Sequence, residues 1–314
     1  VQRIVRKRRE PLVPCTSVEP GDRSGTIQSC GAMIPYTPRK PCPVCGRRQI
    51  RATASVPGPD AVIISDTACL VDEDLDEIVA IQIVSEQSLA SAIGQELRHI
   101  GQWERVANEI RMSGIGVEHH TFGYAAPAPL RSRWACTRCR FDRKYPEVTD
   151  LIYDFVYQAE RLFREYAPDA YRHSAEAVLS TVPEAWRIKG TPWTSGVINN
   201  TAALPYHKDS GNIRGSWSAM IAARHGIDGG LLYLADYDVY LAVPHGSISI
   251  FDGQSVLHGV TPFIATDRDA WRYTLVCYAK SGMKSCAPTP EQEAERAALR
   301  TTEADRRKAE RLKK

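Results

Sequence analysis

The sequence predicts an α+β protein: a β-sandwich or barrel core, flanked by helices and preceded by a metal-stapled N-terminal region. Three observations carry that expectation. After residue 190 the chain breaks into short alternating runs separated by turn residues, the spacing of an all-β sandwich or barrel. Between residues 88 and 166, apolar residues recur at three- and four-residue steps, as on amphipathic helices. The first 60 or so residues are rich in Pro and Gly with little apolar periodicity, yet hold one of two Cys-x-x-Cys pairs. Such a segment needs an external staple to be ordered.

Composition narrows the function classes. At 43% hydrophobic and 25% charged over 314 residues, the chain can bury an ordinary core, which excludes disorder as its dominant state. Lys and Arg number 40 against 37 Asp and Glu, so a histone-like polycation is excluded and nucleic-acid contact would need a local patch. No apolar run reaches membrane-span length, and the opening Val-Gln-Arg-Ile-Val-Arg lacks a signal-peptide core. The expectation is an intracellular protein, in the cytoplasm or nucleoid if microbial or phage-encoded, with no membrane partner. Nine cysteines, an odd count without an export signal, point to metal or redox chemistry ahead of structural disulfides.

Taken in order, the chain starts basic (Arg3, Arg6, Lys7, Arg8, Arg9) and irregular, and Ala61 to Ile64 is the first strand candidate. Leu89, Ile93, Leu97, Ile100, Trp103 and Ile110 fit a helix or helix pair interrupted near Gly101. Ile152, Phe155, Val156, Ala159, Phe163 and Tyr166 share one face of a second helix, with Thr149 or Asp150 as its cap and Pro168 past its end. Strands are expected over 193–199, 216–223, 230–235, 247–251 and 273–279, and a charged helix or frayed tail from Pro290. The expected division is 1–145 for the zinc-binding basic region, 146–287 for the β core and 288–314 for the tail.

The chemistry concentrates in the strand-rich half. His207 and Asp209 are two residues apart, so on an extended strand both face one way. His258 follows after a strand and turn in Gly253-Gln-Ser-Val-Leu-His258-Gly-Val-Thr-Pro262. Two His and one carboxylate make the facial triad of non-haem Fe(II) oxygenases, which leaves positions open for cosubstrate and oxygen. Arg272, 14 residues on in Trp271-Arg-Tyr-Thr, offers a planar, permanently charged fork that can anchor the distal carboxylate of 2-oxoglutarate. His225 and His245 fit no position in this set.

At these residues the chain resembles the Fe(II)/2-oxoglutarate dioxygenases, whose shared core is a double-stranded β-helix, or jelly roll. Gly229-Gly-Leu-Leu-Tyr-Leu, Val243-Pro-His-Gly-Ser-Ile-Ser-Ile-Phe251 and His258-Gly-Val are similar to that superfamily's run into its distal His. Within it, His207-Lys-Asp-Ser-Gly-Asn212 and His120-Thr-Phe-Gly-Tyr-Ala-Ala-Pro resemble the TET/JBP group, compact microbial and phage members included. The resemblance covers roughly residues 120 to 280. It implies Fe(II) held by His207, Asp209 and His258, 2-oxoglutarate on Arg272, and oxidation of the methyl of 5-methylcytosine or thymine in DNA. 5-Hydroxymethylcytosine is the expected product, from a base that is flipped or single-stranded. It also implies that Asn212 hydrogen-bonds the base, against the alternative of a turn residue after Gly211.

The two cysteine pairs, Cys42-Pro-Val-Cys45-Gly46 and Cys136-Thr-Arg-Cys139, are zinc-knuckle sequences and together would close a four-thiolate zinc site. Residues 46 to 135 separate them, 90 residues against about 15 to 20 in a compact ribbon. Cys15, Cys30, Cys69, His119 and His120 therefore remain alternative ligands. Around the second pair, Arg131, Arg133, Arg138, Arg140, Arg143 and Lys144 interleave with Trp134, Phe141 and Tyr145, a pattern suited to phosphate contact and base stacking, or to a solvated hairpin face. Two other readings stand beside the DNA dioxygenase: a dioxygenase of the same core acting on a protein side chain or small molecule, and a non-catalytic zinc protein that binds DNA.

Overall fold

The run Ile78-Val-Ala-Ile-Gln-Ile-Val84 is apolar on both faces, as a strand covered on both sides must be, and it lies mid-sheet. It belongs to a computed structural model that describes residues 1–18, 28–37, 40–49, 53–105, 118–128 and 134–312. The chain forms two compact units that interleave along the sequence: Val1–His120, Ile198–Ser210 and Ser218–Val276 make the first, and Thr121–Val197, Gly211–Trp217 and Cys277–Lys314 the second.

In the first unit the strands Gln2–Arg6, Ala68–Asp72, Ile78–Val84, Ser247–Phe251 and Ser218–His225 lie side by side in that order. The first pair is parallel and the others antiparallel, with Phe251 opposite both Ala80 and Ser218. A second sheet runs His258–Val260, Leu232–Leu234, Val239–Leu241, Val62–Ile64. Leu70, Ala80, Met220 and Phe251 of the first sheet pack against Leu232, Leu234, Val239 and Val260 of the second in one buried core. This is the expected jelly roll. Gln82 ties the sheets together, its side chain donating to Ile64 O (2.6 Å) and accepting from Val243 N (3.1 Å). Buried in a core with both ends satisfied, it fixes register as well as contributing stability.

The N-terminal region thus supplies strands to the core sheet and is not a separate module, contrary to the consecutive segments expected. Among the described residues between 7 and 61 it forms two short strand pairs, Leu12–Pro14 with Met33–Pro35 and Ser17–Val18 with Arg48–Gln49. The helix Gln87–Arg98 buries Ile93 and Leu97 and ends before Gly101; Trp103 is followed by a short strand, and Ile110 lies outside the described residues.

The second unit is mainly helical. The long helix begins at Pro146, earlier than expected: Pro occupies its first turn, where no intrahelical N–H is needed, and Thr149 is an interior residue whose hydroxyl donates to Tyr145 O. Pro168 does not merely follow this helix but opens another, Pro168–Leu179. Phe122, fully buried, lies against Gly196, where any Cβ would fall 2.1 Å from its ring. Gly123 adopts φ +79°, and its N–H donates to both carboxylate oxygens of buried Asp142. The charged tail is a helix, Pro290–Leu312, anchored by Glu293, whose carboxylate accepts from Cys136 N, Ala287 N and Arg300. No helix among the described residues is long and apolar enough to cross a membrane.

Candidate metal and cosubstrate site

His207 and His258 face each other across an antiparallel backbone bridge, with His207 N donating to His258 O at 2.8 Å and His258 N to His207 O at 3.1 Å. Each imidazole Nδ1 lies within hydrogen-bond distance of the carbonyl two residues earlier, Pro205 O for His207 (2.8 Å) and Val256 O for His258 (2.9 Å). A carbonyl only accepts, so both Nδ1 atoms carry the proton and both Nε2 lone pairs are left for a metal. The Nε2 atoms lie 3.5 and 3.8 Å from the same Asp209 oxygen, Oδ1, and the three ligand atoms are all within 4.8 Å of one another.

Asp209 is itself held. Its N–H donates to Gly253 O at 2.8 Å and its Oδ2 accepts from Ser218 Oγ at 3.1 Å. Gly253 leaves room for that carboxylate: a Cβ there would sit 2.4 Å from Asp209 Oδ2 and push it from its place. Phe251 closes one side, edge-on to the His258 ring at 4.9 Å.

Arg272 is 1% exposed and has no acidic partner among the described residues. Among the described residues its guanidinium donates to two carbonyls, Ala202 O at 3.2 Å and Gly230 O at 3.3 Å, and Nε has no partner. Burial, reinforced by the nearby Arg224 charge, depresses its pKa to about 9, which leaves it charged at neutral pH. A buried cation normally comes with an anion. The hydroxyls of Ser247 and Ser249 are likewise buried and have no partner among the described residues, and they share one strand face with Phe251. These orphaned groups suit a small dicarboxylate.

Among residues the spacing did not single out, Ser218 and Gly253 shape the triad. Gly253 stood in the quoted run ahead of His258; nothing in the sequence marks Ser218. His225 pairs with Asp267 at 3.1 Å, and His245 accepts from Arg224 N and reaches Ser91 Oγ; neither joins the triad. Asn212 is buried in the second unit, its backbone bridged to Lys280.

The zinc ligands need correcting. Cys42 and Cys45 gather with Cys15 and Cys30, all four sulfurs within 4.8 Å, and not with Cys136 and Cys139. Cys136 is disulfide-bonded to Cys286, and Cys139 is a buried thiol whose N–H donates to Gly123 O. The Cys42–Cys45 turn is a knuckle: Gly46 takes φ +70° and donates to Cys42 O, and the Cys45 backbone N–H aimed at the Cys42 sulfur pulls that thiol down to about 6. Among the other candidates, Cys69 is buried mid-strand, and His120 contacts Gln102 O and packs at a tilt against Trp103.

In the basic patch, Arg138, Arg140, Arg143 and Lys144 are exposed; Arg131 and Arg133 lie outside the described residues. Phe141 is buried and so cannot stack on a base, while Tyr145 and Trp134 are half-buried.

Residues 126–281 match the Tet_JBP family, described as the oxygenase domain of the 2OGFeDO superfamily. Thymine dioxygenase JBP1 of Leishmania major is 24% identical over 206 residues, which are 65% of this chain and 24% of that protein. Bifunctional helicase and thymine dioxygenase JBP2 of Trypanosoma brucei brucei is 25% identical over 126 residues, 40% of this chain and 11% of that protein. The chain thus spans about a quarter or less of the length of these curated relatives. A solved structure, NgTET1 in complex with 5mC DNA, shares the fold at a TM-score of 0.51 and 14% identity, over 76% of this chain and 86% of that one.

Proposed function

Since this chain belongs to the TET/JBP-like 2-oxoglutarate and Fe(II) dioxygenases, we propose that it oxidises the 5-methyl group of a pyrimidine in DNA, converting 5-methylcytosine to 5-hydroxymethylcytosine. The observation that carries the reading is the pairing of a two-His, one-carboxylate cluster with Arg272, a buried cation that lacks an anion among the described residues. His207, Asp209 and His258 would hold Fe(II), and Arg272 the distal carboxylate of 2-oxoglutarate. Bound there with oxygen, Fe(II) and 2-oxoglutarate would supply the oxidant for the methyl C–H bond, with 2-oxoglutarate spent to succinate and carbon dioxide and one oxygen atom going to succinate and the other to the methyl group.

The chain's own residues do the positioning. The Pro205 and Val256 carbonyls fix each imidazole tautomer, and Ser218 holds Asp209 Oδ2 so that Oδ1 faces the two Nε2 atoms. Ser247 and Ser249 offer hydroxyls to the cosubstrate. Asn212, three residues past Asp209 in the chain, offers the donor and acceptor that a cytosine edge needs. The exposed cations from Arg138 to Lys144 would meet phosphates while the target base leaves its stack.

A second reading, thymine as the base, is favoured by the curated relatives, which are thymine dioxygenases. Mass spectrometry of nucleosides from 5-methylcytosine-containing DNA, incubated with the protein, Fe(II) and 2-oxoglutarate, separates the two. 5-Hydroxymethylcytosine with matching succinate is expected. 5-Hydroxymethyluracil alone would install the second reading, and no oxidised base alongside succinate release stimulated by a peptide or small molecule would move the activity off DNA.

A further inference from the structure

The four-thiolate cluster lies against the backbone that carries the iron ligands. Val13, Cys15, Ile34, Cys42 and Ala54 form one buried cluster with Tyr206, Ala235 and Leu257. Tyr206 immediately precedes His207, and Leu257 immediately precedes His258. Three further contacts reach the same two segments: Tyr36 Oη donates to Tyr206 O at 2.5 Å, Ala54 N donates to Val260 O at 3.1 Å, and Arg8 pairs with Asp236, whose carboxylate accepts from Leu257 N at 2.6 Å.

The cysteine segments have little regular structure of their own. Leu12–Pro14 with Met33–Pro35 and Ser17–Val18 with Arg48–Gln49 are strands of two or three residues, too short to be stable alone. Their sulfurs, however, are already spaced for one ion. Cys15 to Cys45 is 3.8 Å and Cys30 to Cys42 is 4.0 Å, where tetrahedral Zn–S bonds of about 2.3 Å place sulfurs roughly 3.8 Å apart. A four-iron cluster would need them farther apart.

We propose that Cys15, Cys30, Cys42 and Cys45 bind one Zn(II), and that this centre positions the iron site by bracing Tyr206 and Leu257 from behind. The second half rests on the reading of His207, Asp209 and His258 as iron ligands. Zinc supplies the folding free energy of the N-terminal segment, and the Tyr36 hydroxyl transmits it to the carbonyl next to His207. Tyr36, Tyr206 and Leu257 are positioning residues that touch neither metal.

The test is elemental analysis of the full chain, together with anaerobic equilibrium dialysis against Fe(II), counting only the binding that His207→Ala abolishes. The parent should hold one zinc per chain. Cys30→Ser should lose it, with Fe(II) affinity falling at least about tenfold. Tyr36→Phe should keep zinc, melting temperature and far-ultraviolet circular dichroism while weakening Fe(II) binding about fivefold, the scale of one hydrogen bond. A parent without zinc, or a Cys30→Ser protein that retains it, overturns the metal assignment. Unchanged Fe(II) affinity in Tyr36→Phe overturns the positioning role, even if Cys30→Ser fails to fold. If the parent shows no Fe(II) binding sensitive to His207→Ala, the iron reading itself has failed, and the positioning role falls with it while the zinc count stands independently.

Discussion

The His207, Asp209 and His258 cluster and the Cys15, Cys30, Cys42 and Cys45 cluster sit in the same unit on different supports. The imidazoles hang from a backbone bridge that joins their own residues, beside a core built by two sheets, and their orienting carbonyls are two residues away in the chain. That geometry is held by backbone and by neighbouring carbonyls. The thiolates hang from strands of two or three residues and a glycine knuckle, supports too short to be stable alone, so the ion they would share would add to the stability of their segments. One site is preorganised by folding, and the other takes part in it.

The comparison breaks first at the triad. His207→Ala or Asp209→Ala should abolish turnover, a larger loss than the roughly 10- to 100-fold that outer-shell changes cost around a metal. The melting temperature of the metal-free protein should hardly move, because the bridge is made by backbone. A variant that unfolds would show that the triad is not preorganised.

Arg272→Met sharpens the point. Losing one side of a buried charged pair costs on the order of 2 to 5 kcal/mol of binding, so the KM for 2-oxoglutarate should rise about 100-fold. Without cosubstrate the variant should be as stable as the parent or more so, since a buried cation without an anion is removed. A steep drop in thermal stability, with KM unchanged, would make Arg272 a structural residue.

Asn212→Ala should lose one to two decades of base oxidation, the equivalent of about 1 to 3 kcal/mol for a hydrogen bond to a buried base edge, while uncoupled 2-oxoglutarate decarboxylation falls less. Equal losses in the two assays would leave Asn212 as a turn residue bridged to Lys280.

The smallest effect belongs to the second unit, which carries neither cluster. Burial raises the Asp142 pKa from 3.8 to about 6, despite hydrogen bonds from Tyr153 and Gly123. The folded state therefore holds this proton more tightly than the unfolded state, so Asp142's contribution is full below about pH 4 and is lost as pH rises through about 6. Asp142→Asn should flatten thermal stability between pH 4 and 6, by on the order of 1 to 3 kcal/mol. An unchanged pH profile would remove Asp142 as its source.

The same difference in support decided what was legible in the sequence. His207 and Asp209 are two residues apart and His258 closes a short strand and turn, so local spacing marks the triad, and Arg272 lies on the strand expected there. The strand boundaries over 247–251 and 216–223 fall close to Ser247–Phe251 and Ser218–His225 because their alternation is local too. Cysteine pairing is not local. Two Cys-x-x-Cys pairs invite each other, but Cys30 has no neighbouring cysteine to announce it, and Cys136 finds Cys286 at a separation of 150 residues. The strands Ala68–Asp72 and Ile78–Val84 have plain apolar runs, but they lie outside the expected core of 146–287, and their place in its sheet comes from pairing with Ser247–Phe251 far along the chain, which is not local either.

Preorganisation of the triad for iron and cosubstrate is tested most directly under anaerobic conditions. A keto acid chelated to Fe(II) gives a visible metal-to-ligand charge-transfer absorption, and its growth can be followed as 2-oxoglutarate is added to the Fe(II)-loaded protein. The band is expected at one site per chain in the parent, absent in Asp209→Ala, and reached in Arg272→Met only at about 100-fold higher 2-oxoglutarate. A parent without the band, or an Asp209→Ala protein that keeps it, would contradict the assignment of iron to His207, Asp209 and His258.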